Sequence, residues 1–236
     1  MNLPFDAIVL AGGLGTRLRA VVPDRPKPMA LVAGRPFLDH VFDHLVAHGV
    51  RHVVLSIGYM GECIEQHYGQ AYRGMDISYA REHEPLGTGG AIRLALRHCR
   101  TDWAVVVNGD TLLDADPAAL VSATRASSGR LGMVVREVPD TARYGRCEVR
   151  EGTVVAFGEK GVAGPGYING GMYALPRTVF DGLDLPERFS FEVDVLAAHL
   201  HDIRPCAVIS DAYFIDMGVP EDYARAQVEL PLQHGA

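Results

Sequence analysis

The stretch Leu10-Ala11-Gly12-Gly13-Leu14-Gly15-Thr16-Arg17-Leu18, continued by Pro26-Lys27-Pro28-Met29, decides how the chain is read. Before it, Phe5 to Leu10 is a short apolar run of the kind that forms a buried strand. The three glycines that follow permit positive φ and let backbone N–H groups approach a ligand with no Cβ between. Consecutive N–H groups at such a turn make an anion-binding nest, reinforced by a helix N-terminus. Arg17 adds a bidentate fork suited to phosphate oxygens. Pro26 and Pro28 restrain the backbone around Lys27, so its ammonium extends from a stiff base. These residues describe a phosphate-handling loop with two fixed cations.

Two common phosphate motifs fit poorly. A dinucleotide fingerprint would place a third glycine where Leu18 stands and an acidic residue about twenty positions further on. A Walker A loop needs Gly-Lys-Ser/Thr, which is absent. A glycine-rich turn without a ligand is the remaining alternative.

At 236 residues the chain can hold one large domain or two small ones. No repeat, low-complexity tract or linker divides it, so a single domain over residues 1–236 is expected. Lys and Arg total 22 against 29 Asp and Glu, a formal charge of −7 that argues against general nucleic-acid binding. Met1-Asn2-Leu3-Pro4 offers neither a basic n-region nor an apolar h-region, and no apolar run approaches membrane-spanning length. A cytoplasmic protein with no membrane partner is expected. Cys63, Cys99, Cys147 and Cys206 stand far apart and read as reduced, mostly packed thiols.

Outward from the first loop, residues 36–49 show helical periodicity (Phe37, Leu38, Val41, Phe42, Leu45, Val46) ending at Gly49. Strands are expected at 53–57, 77–80 and 103–107, with a short helix over 62–68. This alternation implies an α/β fold: a Rossmann-like, mostly parallel mixed sheet with helices on both faces. Glu82-His83-Glu84-Pro85-Leu86-Gly87-Thr88-Gly89-Gly90 forms a second close-approach turn, leading into a helix to about His98, with Thr88 a candidate cap. Asn108-Gly109-Asp110 ends an apolar strand, where ligands of open α/β sheets bind, and a carboxylate there suits Mg²⁺. A plain Asx turn is the alternative. From Leu131 the strands follow one another without helices, which suggests a small antiparallel excursion or a lobe over the sheet edge. Ser190 is a plausible cap for a helix to about Leu200. A strand covers 206–209, Tyr213 to Gly218 repeats the strand–aspartate–glycine pattern, and the tail from Leu230 is expected to fray.

The two blocks Gly-Gly-x-Gly-Thr-Arg-Leu and Pro-Lys-Pro-Met resemble the signature of the sugar-1-phosphate nucleotidyltransferases, and the resemblance extends from Ala7 to about Ala226. Within the family the likeness is to guanylyltransferases acting on a manno-configured heptose 1-phosphate, carried by Glu84 to Gly90, Ile168-Asn169-Gly170-Gly171 and Phe189-Ser190-Phe191-Glu192. Ala20 departs from the proline common after Arg-Leu-x. The resemblance implies a nucleotidyltransferase (GT-A-like) fold and GTP and a sugar 1-phosphate as partners, with homo-oligomer formation left open.

Residue by residue, it implies that Arg17, Lys27 and Asp110 are catalytic. Leu10, Ala11, Gly12, Gly13, Gly15, Thr16, Glu82 (with Glu84 as fallback), Pro85, Gly87, Thr88 and Gly89 would hold the nucleotide. Asn108, Gly109, Gly145, Glu159, Lys160, Asn169 and Gly170 would hold the sugar phosphate, and Asp110 with Asp216 a Mg²⁺ ion. Mannose 1-phosphate guanylyltransferases and uridylyl- or thymidylyltransferases are the neighbouring alternatives. A glycosyltransferase would normally carry Asp-x-Asp, which Asp114-Ala115-Asp116 supplies, but would have no reason for Lys27 between two prolines, and a regulatory paralogue would be expected to have lost Arg17, Lys27 or Asp110.

Overall fold

The computed structural model describes residues 4–233 other than 14, 16, 17, 19–21 and 160. The chain begins with β1 (Asp6–Leu10), passes the glycine loop and a 3₁₀ turn at Lys27–Met29, and makes the small hairpin β2 (Leu31–Val32) and β3 (Arg35–Pro36). α1 (Phe37–Ala47), β4 (His52–Ile57), α2 (Gly61–Tyr68), β5 (Ala71–Tyr72), β6 (Met75–Arg81), α3 (Gly87–Leu96) and β7 (Trp103–Asn108) complete the first half. The second half contains β8 (Thr111–Leu113), α4 (Pro117–Ala126), β9 (Gly132–Val138), β10 (Arg146–Arg150), β11 (Thr153–Phe157) and β12 (Gly166–Pro176). A π-helical segment (Phe191–Ala197), α5 (Leu200–Ile203), β13 (Cys206–Ser210), β14 (Phe214–Asp216) and α6 (Pro220–Gln233) close it.

One sheet runs through both halves in the order β10-β11-β13-β9-β12-β7-β1-β4-β6-β5. Its centre, β7-β1-β4-β6, is parallel, as the strand–helix alternation implies. The centre's period-2 pattern is apolar on both faces: Ala7 and Val9, Val53 and Leu55, and Val105 and Val107 join one core cluster, while Ile8, Val54 and Val106 join the other. α1, α2, α4 and α6 contribute to the first cluster; α3 and the π-helical segment contribute to the second.

Two expectations need correction. The strands after Leu131 are no lobe over the edge, because β12 pairs antiparallel with β7 at Tyr173↔Val106 and with β9 at Tyr173↔Met133. They extend the same sheet, so antiparallel pairing dominates beyond β7 and the sheet is parallel chiefly in its central part. The tail does not fray at Leu230, which α6 carries, fully buried, into the first cluster. The thiols of Cys99, Cys147 and Cys206 are buried and that of Cys63 is exposed, all unpaired. Among the described residues no helix is long and apolar enough to cross a membrane.

Candidate active site

Strand order reverses around β1, with β4 on one side and β7 on the other, so a crevice opens beyond the strands' carboxyl ends. Three cavities follow one another there. The first, about 480 Å³, is lined by Leu10 at the end of β1 with Gly12 and Gly13 after it, Ser56 of β4 with Gly58 after it, and Glu82, His83, Glu84 and Pro85 after β6. Tyr59, Gly87, Thr88 and Ala91 complete it. The second, about 170 Å³, shares Leu10 and Gly13 with the first and adds Ala11, Gly15, Lys27, Asp110 and Gly218. The third, about 780 Å³, shares Asp110 and Gly218 with the second and opens over Asn108, Gly145, Asn169, Glu192 and Asp216.

In the first cavity the Glu82 carboxylate is fixed from two sides. Its Oε2 accepts from the Leu86 N–H at 3.0 Å, and its Oε1 accepts from the Ser56 hydroxyl at 3.3 Å. A Cβ on Gly12 would stand 2.6 Å from Glu82 Oε1 and 3.2 Å from the Gly58 nitrogen, so a side chain at position 12 would displace this carboxylate from its place.

Thr88 does not cap α3, because no side chain does so. Its hydroxyl donates to Glu192 Oε2 at 2.7 Å and accepts from the Phe191 N–H at 2.9 Å. The neighbouring glycines serve this contact too. A Cβ on Gly87 would fall 2.5 Å from the Phe189 carbonyl oxygen, and one on Gly89 would fall 2.2 Å from the Phe189 ring. Gly89 is buried against Phe189 and does not line the first cavity. Ser190 caps the π-helical segment as the sequence suggests, accepting from the Val193 N–H at 3.2 Å.

Lys27 and Asp110 meet in the second cavity. Their side chains are 10% and 35% exposed, and Lys27 Nζ donates to Asp110 Oδ2 at 2.5 Å. The two come from points 83 residues apart, brought together because β1 and β7 are parallel neighbours. Arg17 and Thr16, the other expected phosphate donors of this loop, lie outside the described residues, as does Lys160.

Asp216 reaches the same place by a different route. β14 pairs antiparallel with β8, setting Asp216 opposite Thr111 and so beside Asp110, and the Met217 N–H donates to the Asp110 carbonyl at 2.9 Å. Two carboxylates facing one polar cavity fit a hard divalent cation that takes its remaining ligands from phosphate oxygens and water. Among the described residues no cluster of three or more His, Cys, Asp or Glu side chains is placed to hold an ion.

The third cavity gathers Asn108, Gly145 and Asn169 but not Gly109, Glu159 or Gly170. Gly109 donates to the Leu10 carbonyl at 2.9 Å, Gly170 packs against Leu113 and Val134, and Glu159 is exposed. Asn169 is held by its own neighbours: its amide donates to the Tyr173 hydroxyl at 2.6 Å and its carbonyl accepts from the Gly171 N–H at 2.9 Å. Ser56, Tyr59, Arg143 and Tyr173 were missed as lining residues. Only Ser56 carried a signal, as a hydroxyl inside an otherwise apolar strand.

A family model described as nucleotidyl transferase matches residues 6–232. A D-glycero-alpha-D-manno-heptose 1-phosphate guanylyltransferase of Aneurinibacillus thermoaerophilus is 43% identical over 96% of this chain and 98% of its own. One from Campylobacter jejuni is 40% identical over 93% of this chain and 97% of its own. The crystal structure of HddC from Yersinia pseudotuberculosis complexed with GMP-PN, 35% identical, superposes with a TM-score of 0.84 over 96% of this chain and all of that one. The matched span runs from β1 into α6 and takes in all three cavities, and the chain belongs to the nucleotidyl transferase family.

Proposed function

We propose that the protein transfers GMP from GTP to D-glycero-α-D-manno-heptose 1-phosphate, giving the GDP-sugar and pyrophosphate. The observation that carries this reading is the continuity of the crevice. A compartment for a base and a compartment for a sugar flank a small one that contains Lys27 and Asp110. The names of the two relatives, alike over nearly their whole length, support the same reaction and acceptor.

In this reading an oxygen of the acceptor's phosphate attacks the α-phosphorus of GTP. The bond from that phosphorus to the bridging oxygen breaks, and its electron pair leaves with pyrophosphate. The attacking oxygen is already ionised near neutral pH, so no protein base or nucleophile is required. The work is to hold two polyanions in line and to offset their charge. Lys27, restrained by Pro26 and Pro28, neutralises the α-phosphate as charge builds there. Gly12, Gly13 and Gly15, with Arg17 and Thr16, receive the departing pyrophosphate. Asp110 and Asp216 would hold Mg²⁺, which supplies charge neutralisation between nucleotide and acceptor when bound. Glu82 reads the base. Guanine offers two adjacent donors on its pairing edge where uracil and thymine offer one, and a carboxylate only accepts.

Pyrophosphate release is measured with GTP, UTP, dTTP, CTP and ATP against heptose 1-phosphate, mannose 1-phosphate and glucose 1-phosphate. GTP with heptose 1-phosphate is expected to give the highest kcat/KM. Equal or faster release with UTP would overturn the base assignment, and preference for mannose 1-phosphate would overturn the acceptor.

A further inference from the structure

The third cavity has an uneven charge balance. Asp110, Asp216 and Glu192 line it, and Arg143 is the one cationic side chain among its described lining residues. A sugar phosphate entering it carries close to two negative charges near neutral pH, since a phosphate monoester's second pKa is about 6. Arg143 lies in the turn between β9 and β10, with its side chain 53% exposed. Its guanidinium is nevertheless held from behind. Nη1 donates to Asp222 Oδ1 at 3.5 Å and Nη2 donates to Asp222 Oδ2.

Asp222 is only 4% exposed, in the first turn of α6, and its Oδ1 also accepts from Arg225 Nη1 at 3.1 Å. One buried carboxylate therefore anchors two guanidiniums; Arg225 has a second partner in Glu229, whose Oε1 lies 3.1 Å from its Nε, while Arg143 shares Asp222 with it. The Tyr144 ring sits beside the guanidinium, 5.7 Å from its centre. A guanidinium has five N–H donors in a fixed fork, and Asp222 takes two of Arg143's. The others are available to the oxygens of a bound anion.

We propose that Arg143, held by Asp222, binds the phosphate of the acceptor sugar 1-phosphate. The proposal rests on reading the crevice as a site of GMP transfer. Arg143 lines the third cavity and neither of the other two, so its charge is directed to the acceptor and not to the triphosphate. The competing view is that Arg143 merely pins the β9–β10 turn to α6.

The test is steady-state pyrophosphate release by Arg143→Met, Arg143→Lys and Asp222→Asn, with GTP and heptose 1-phosphate each varied. Arg143→Met should raise KM for the sugar phosphate about 10- to 100-fold, the range for a lost charge-assisted hydrogen bond, while KM for GTP stays within about twofold. Arg143→Lys should recover only part of this, because an ammonium lacks the fork. Asp222→Asn should move the same KM by a smaller factor. Inorganic phosphate, competing with the sugar phosphate, should inhibit Arg143→Met about tenfold more weakly than the parent protein.

An unchanged acceptor KM in Arg143→Met, or a rise confined to the KM for GTP or for pyrophosphate in the reverse reaction, overturns the proposal. So does a lowered Tm with unaltered acceptor KM, the signature of a turn pin. If Arg143→Met fails to fold, Arg143→Lys decides by the same parameters. A parent protein inert with every sugar 1-phosphate would instead overturn the reading of the crevice. Calorimetry with inorganic phosphate on the parent and Arg143→Met would then settle Arg143: weaker binding upholds its role as an anion ligand, equal binding removes it.

Discussion

At the scale of single residues, the site depends on charges that are held before any substrate arrives. Lys27 is nearly buried and already set against Asp110 at 2.5 Å, so little of its side-chain freedom remains to be lost when phosphate binds. Lys27→Met keeps the stem and removes the charge. If Lys27 acts on the reacting α-phosphate, kcat should fall about 10²- to 10³-fold, the usual cost of losing one transition-state donor, with a much smaller change in KM for GTP. A change in KM alone would make it a docking residue. Glu82 is restrained in the same way, by Leu86 and Ser56, yet each carboxylate oxygen has more lone pairs than these two donors occupy. Glu82→Gln puts a donor into the same space, so the ratio of kcat/KM for GTP over UTP should fall at least about tenfold. An unchanged ratio would clear Glu82 of base selection and leave it as the brace of its own turn.

At the scale of elements, the turn before α3 and the segment 189–191 form one device. The Phe189 carbonyl accepts from Gly89 N–H at 3.0 Å, the Phe189 N–H donates to the Leu86 carbonyl at 3.0 Å, and Thr88 links to both Phe191 and Glu192. The Phe189 ring is 2% exposed and has no room to retreat. The Arg93 guanidinium lies 4.8 Å from its centroid, and the Phe180 ring packs edge-on at 5.4 Å. Gly89→Ala should therefore overpack the contact, costing about 1–3 kcal/mol, and lower Tm by several degrees. Unchanged Tm would mean the segment moves aside freely. The sequence shows the glycines but not what they approach: Gly87-Thr88-Gly89 reads equally as a ligand surface, and Phe189 is 100 positions away. Strands with dense apolar runs, such as Val53–Ile57 and Ala104–Val107, are legible because burial on both faces leaves a local pattern. Whether the strands after Leu131 join the sheet or cover its edge depends on pairings such as Tyr173↔Val106, which local periodicity does not contain. Arg143 is illegible for the same reason, since nothing in Ala142-Arg143-Tyr144-Gly145 announces Asp222.

At the scale of the whole molecule, acid should lower the protein's stability over two pH ranges, because two groups that tie distant parts together resist protonation. His44, on α1, has its Nδ1 3.1 Å from Asp114 Oδ1 and its Nε2 3.1 Å from the Ala115 carbonyl, joining that helix to the chain after β8. Burial holds its imidazole below the ordinary value of 6.5, and the adjacent His48 adds to this against the opposing pull of Asp114. Asp6 joins the start of β1 to the turn before β7. Its Oδ2 accepts from the Thr101 N–H at 2.9 Å and the Arg100 N–H, and its Oδ1 lies 3.1 Å from His52 Nδ1. Burial alone would raise the Asp6 pKa, but the His52 contact and the two backbone donors outweigh it and hold the carboxyl below its ordinary 3.8. Both groups release protons more readily folded than unfolded, so the unfolded state binds more protons as pH falls. The stability tied to His44 is complete above about 6.5 and declines as pH drops from there toward its lowered folded value. That tied to Asp6 is complete above about 4 and is lost as pH falls through its own lowered folded value. Urea midpoints should thus be level from pH 8 to 7, lower at pH 5.5, and lower again below pH 4. His44→Gln should start from a lower midpoint at pH 8, having lost a buried contact, but show a shallower fall between pH 7 and 5.5. A midpoint that rises on going from pH 7.5 to 5.5 would mean that the imidazole gains its proton on folding, reversing the balance between burial and Asp114.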